Sequence, residues 1–68
     1  MTLNDIILNA VWINDKTSVI VKYQDNSGVA HTLAEGAWFC DQVLYWGHYR
    51  VVKLVMDFDA GEAVFCIV

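Results

Sequence analysis

The stretch TLAEGAWFCDQVLYWG (residues 32–47) decides the fold of this chain. Read as a helix, it opens on the capping-box pattern, with Thr32 as N-cap and Glu35 three positions on to reach back to it. Gly47, a natural residue just past a helix end, follows Thr32 by fifteen positions. Between them Leu33, Ala37, Cys40 and Leu44 recur at helical spacing, flanked by Gly36 and Val43. The opposite side carries Glu35, Trp38, Asp41, Gln42 and Tyr45. The pattern predicts an amphipathic helix over residues 33–46, with Gly36 allowing close approach to a sheet. Read as a strand, Ala37, Phe39, Asp41, Val43 and Tyr45 alternate instead. The helix is preferred because start, stop and period agree.

On either side the chain reads as strands and turns. DIILNAVWI (5–13) is rich in β-branched and aromatic residues and apolar on both faces, as in a strand covered on both sides. NDK (14–16) is a polar turn, and TSVIVKYQ (17–24) alternates, with Thr17, Val19, Val21 and Tyr23 on one face. DNSG (25–28) is a second turn whose glycine is free to take positive φ, and VAHTL (29–33) is a short strand. After the helix come a strong strand, YRVVKLVMDF (49–58), a turn at DAG (59–61), and a final strand, EAVFCIV (62–68). That last strand stays apolar to its end, so its edge should be paired, inside the sheet or across an interface. The expectation is one α+β domain over residues 1–68: a small antiparallel sheet of about five strands, ordered β-β-β-α-β-β, with one helix on one face. A small all-β barrel is the alternative if 33–46 is a strand.

Sixty-eight residues leave room for a single core, near the lower limit of independent stability. Of these, 57% are hydrophobic and only 18% charged, against roughly 45–50% and about 25% in ordinary globular chains. So short a chain has too little interior to hide that surplus. It predicts apolar surface facing another chain, most simply in a two-fold homodimer.

The charge balance restricts the partners. Eight carboxylates oppose four basic residues, Lys16, Lys22, Arg50 and Lys53, for a net charge of −4. Each neutralised phosphate takes roughly one Lys or Arg, so four scattered cations are a poor equipment for binding nucleic acid. Nor are eight carboxylates dense enough to make imitation of DNA the leading reading. A nucleic-acid-directed or DNA-mimicking module therefore stays an alternative. So does a small-ligand or metal-binding protein. Zinc takes three or four ligands, usually as close pairs, and His31, Cys40, Asp41, His48 and Cys66 include no close pair of cysteines or histidines. Cys40 on the apolar stripe and Cys66 inside an apolar strand read as small core residues, with a bridge between them conceivable only if the helix crosses the last strand. His48 follows Cys40 by eight positions, with no nucleophile elbow, phosphate-cradling loop or paired-carboxylate cleft beside it. No enzyme activity and no cofactor are expected.

The chain lacks an apolar run of the 18 or so residues that span a membrane, and MTLNDIILNA has no basic segment of a secretory signal. FCIV puts Cys66 third from the end, out of place for prenylation. The expectation is a cytoplasmic protein with free thiols.

The aromatic residues are what remains. Trp38 and Tyr45, seven apart, share the polar side of the expected helix with Asp41, while Trp46 and Tyr49 surround the corner after it. Tyr and Trp often carry interface hot spots, each with an apolar body and a polar tip. Trp38, Asp41, Tyr45, Trp46 and Tyr49 are thus the candidate partner-binding residues. The expected role is protein binding by occlusion, as an inhibitor or accessory factor. An anti-defence protein of a phage or mobile element is one example.

Overall fold

A computed structural model describes residues 1–10 and 13–68 of the chain. Helix α1 (Leu3–Asn9) is followed by strands β1 (Ser18–Gln24) and β2 (Ala30–Gly36), a one-turn helix α2 (Asp41–Leu44), and strands β3 (Val51–Asp57) and β4 (Glu62–Ile67). The fold is a small α+β domain on an open four-stranded sheet of order β2-β1-β4-β3, not a closed barrel. Strands β1 and β2 are antiparallel, as are β3 and β4, but β1 and β4 run parallel. Two hairpins therefore meet along a parallel seam, and the sheet is mixed rather than wholly antiparallel. The apolar last strand lies inside the sheet, paired on both edges.

The first expected strand is a helix over most of its length. Leu3, Ile6, Ile7 and Ala10 fall at i, i+3, i+4 and i+7, which puts one apolar stripe on one face. Thr2 caps this helix: its Oγ1 accepts from the Asp5 N–H at 3.3 Å, and Asp5 Oδ2 accepts from the Thr2 N–H at 3.1 Å. The β-branched residues Ile6 and Ile7 cost the helix only a few tenths of a kcal/mol each, whereas burying one such side chain returns about 1.5–3 kcal/mol. Leu3 and Ile7 are both buried. Burial decides the segment. The remainder of the expected strand includes residues 11–12, outside the described residues, and among the described residues four strands form where five were expected.

The long helix over 33–46 also gives way. DNSG makes its turn: Asp25 Oδ1 accepts from the N–H groups of Ser27 and Val29, at 2.9 and 3.0 Å, and Gly28 takes φ +85°. The turn sends the chain back along β1, and β2 continues past Leu33 to Gly36, pairing Ala34 with Val21 and Glu35 with Ile20. A capping box is worth about 1 kcal/mol. A ladder of hydrogen bonds at about 0.5–1.5 kcal/mol each, with Ala34 buried, exceeds it. Thr32 and Glu35 thus lie exposed in a strand, and only Asp41–Leu44 is helical. Neither the long helix nor a strand over 37–45 forms.

The core lies on one face of the sheet. Val19 and Val21 of β1, Ala63, Phe65 and Ile67 of β4, and Ala34 of β2 pack under Leu3 and Ile7 of α1, Val43 of α2 and Ile13. The buried Thr17 is satisfied by Asn14, whose N–H donates to its hydroxyl at 3.2 Å. The NDK turn forms as the sequence predicts, with the Lys16 N–H donating to Asn14 Oδ1 at 2.8 Å.

Candidate protein-binding surface

Residues 40–49 form a tight succession of turns rather than a long helix. The Leu44 N–H donates to the Cys40 carbonyl and the Tyr45 N–H to that of Asp41; Trp46, Gly47 and Tyr49 then close on Val43, Leu44 and Trp46. The fully buried Val43 anchors this coil to the core. Gly47 fastens it to α1. The Asn4 N–H donates to the Gly47 carbonyl at 2.9 Å, and a Cβ at position 47 would overlap the Asn4 side chain. Gly47 serves this close approach rather than ending a long helix.

The coil gathers most of the candidate residues. Tyr45, 72% exposed, meets Trp46 edge to face with ring centres 5.0 Å apart, and Trp46 meets Tyr49 at 5.3 Å with the rings tilted. Trp46 is half-buried against the core, a rigid base for the two exposed tyrosines. Asp41, in the first turn of α2, joins Leu33, Gln42, Tyr45 and Trp46 around an open depression. The result is a depression where a leucine, an aromatic pair, an amide and a carboxylate lie side by side.

Trp38 stands apart. Its indole N–H donates to Asp15 Oδ1 at 3.2 Å, and its ring meets Phe39 edge-on at 5.5 Å. It lines a different depression, with Ile7, Ile13 and Lys16. Without a helix through residue 38, its seven-residue spacing from Tyr45 no longer puts the two on one face. Leu33, expected on the apolar stripe, and Gln42, expected on the polar side but not among the candidates, both line the depression. Leu33 is the extra residue where the register of β2 shifts against β1, and no period in the sequence announces that shift.

The other chemistry-bearing residues are dispersed. Cys40 packs against the core, whereas Cys66 pairs with Lys22 and Lys53 across the opposite face of the sheet. Both cysteines are free. Cys66 is thus not the core residue its strand suggested, and the sheet stands between the two thiols. His31 Nε2 lies 2.9 Å from Asp25 Oδ2 at the exposed β1–β2 turn. That hydrogen bond, together with those from the backbone of Val29 and Ser27, holds the Asp25 carboxyl below its ordinary pKa. Among the described residues no three His, Cys, Asp or Glu side chains converge as metal ligands, and no helix is long and apolar enough to cross a membrane. Compared with known protein families, curated proteins and solved structures, the chain matches none.

Proposed function

We propose that this protein acts by binding and occlusion, holding the surface of Asp41, Tyr45, Trp46 and Tyr49 against a protein partner. One observation carries the reading: an exposed tyrosine set edge to face against a half-buried tryptophan beside a carboxylate, all on one anchored coil. A rigid aromatic pair loses little conformational freedom on binding, and its tyrosine tip can hydrogen-bond at the edge of a contact. The carboxylate favours a partner with a basic patch. The role that suits so small and acidic a chain is that of an inhibitor or accessory factor without chemistry of its own, such as a mobile element uses against a host defence enzyme. The same reading has the chain self-associate as a homodimer, since its apolar surplus exceeds what one small core holds.

The experiment is a quantitative capture from cell extract with the tagged full chain, comparing wild type, Tyr45→Ala and Asp41→Lys. Both changes fall on exposed side chains, so circular dichroism should show the fold intact. A partner held by wild type and lost by both variants is expected. Equal retention of every captured protein by both variants would exclude this surface.

A further inference from the structure

Helices α1 and α2 cover one face of the sheet; no described element packs on the other. We propose that this open face is the homodimer interface, with a second copy of the chain as its occupant. The inference rests on the self-association read above and names the surface that performs it.

Side chains alternate across a strand, so the pairing register arranges the open face in rows. The middle row is Glu35, Ile20, Val64 and Val55, running from β2 to β3. On one side of it lies Lys22, Cys66 and Lys53; on the other, Ser18, Glu62 and Asp57. The face is therefore an apolar stripe between a basic row and an acidic row. Two of the chain's four basic residues stand in one row and two of its eight carboxylates in the other.

That arrangement is complementary to itself. A second copy, turned about a two-fold axis running along the middle row, meets the first with its outer rows exchanged. Lys53 then faces Asp57 of the other copy, twice over, and Lys22 comes beside the acidic row. Ile20, Val64 and Val55 meet their own counterparts, as an isologous interface requires. The alternative axis, along the strands, sets Lys22 and Lys53 against their like and is disfavoured. Glu35 meets its counterpart only at the exposed edge of β2, where solvent screens the repulsion. A standard interface takes about 800 Å² from each partner, or about a sixth of the 4540 Å² this chain exposes. Packing the sheet faces together, like the two layers of a sandwich, is the geometry by which two such sheets bury area of that order. Because α2 lies on the covered side, the dimer carries its two aromatic surfaces outward, ready for bivalent attachment.

The test is sedimentation equilibrium of the full chain over a wide concentration range, with Val64→Lys, Lys53→Glu, and Lys53→Glu combined with Asp57→Lys. Wild type should be a dimer and Val64→Lys a monomer at the same concentrations. Lys53→Glu alone should raise the dissociation constant about tenfold, and the charge exchange should return it to within about threefold of wild type. Alkylation of Cys66, at the middle of the basic row, should slow in wild type as concentration rises, a readout independent of whether Val64→Lys folds. A wild-type monomer throughout would overturn both the self-association and this face. A dimer indifferent to Val64→Lys, with Cys66 alkylated at one rate throughout, would overturn the face alone and move the contact elsewhere, such as the free edge of β3.

Discussion

Thr2-Leu3-Asn4-Asp5 and Thr32-Leu33-Ala34-Glu35 share a pattern, a threonine, then a leucine, then an acid three positions on, yet one opens a helix and the other lies in a strand. In the first, Thr2 and Asp5 exchange backbone hydrogen bonds and Leu3 is fully buried. In the second, Thr32 and Glu35 point into solvent from a strand paired with β1, and among the described residues neither side chain makes a hydrogen bond. The difference comes from what stands beside each. Ile6, Ile7 and Ala10 extend the first into an apolar helical stripe, whereas the second follows a hairpin turn already committed by Asp25 and Gly28. A cap of about 1 kcal/mol selects a helix only where burial agrees with it.

The leucines test this contrast most severely. Leu3→Ala should cost about 2–5 kcal/mol, enough to unfold a marginal domain, because it empties a fully buried site. Leu33→Ala, at a half-exposed bulge, should cost about 1 kcal/mol or less. Urea denaturation measures both, and equal losses would break the comparison. The threonines should separate by less: Thr2→Ala costs about 1 kcal/mol by removing a working cap, and Thr32→Ala stays within about 0.5 kcal/mol. If Thr32→Ala proves as costly as Thr2→Ala, the second segment has helical character after all.

Acid gives the smallest effect. Hydrogen bonds from Thr2 hold the Asp5 carboxyl below its ordinary pKa, as the bond with His31 does for Asp25. Lowered folded-state values mean that both groups stabilise the fold fully above about pH 4, and that this share is lost as pH falls through the lowered values. Thermal melts between pH 5 and pH 2 should show the decline, and Asp5→Asn and Asp25→Asn should each flatten part of it. An unchanged slope in both variants would mean that these carboxylates are not tied down as described.

The strands and turns were legible because their signals are local. Alternation in TSVIVKYQ, the aspartate and glycine of DNSG, and the unbroken apolar run of EAVFCIV each name their structure without help from a distant residue. The TLND box and the spacing of Leu3, Ile6 and Ile7 carry a local signal for helix α1 too, but the β-branched residues of the same stretch point to a strand, as which it was expected. The parallel pairing of β1 with β4 was not legible, since no local pattern tells a strand the direction of its neighbour. In the candidate site, the sequence singled out Asp41, Tyr45, Trp46 and Tyr49 by chemistry. Their grouping depends on the turns after Val43, and the separation of Trp38 on a fold that ends β2 at Gly36.

The parallel seam also orders events in time. Each hairpin closes a connection of a few residues, Asp25–Val29 in one and Phe58–Gly61 in the other, while the seam joins Ser18 to Glu62, 44 positions apart. Closing the longer loop costs about 2 kcal/mol more in chain entropy than closing a hairpin. Loop entropy thus predicts that the two hairpins form early and separately and that the slow step is their docking, when Val21 meets Phe65. Stopped-flow folding should find Val21→Ala slowing refolding, and a change in the DNSG turn, which is formed before docking, should also slow refolding with little effect on unfolding. Until that docking, both inner strands are bare edges, and the chain is at its most vulnerable to joining the wrong neighbour.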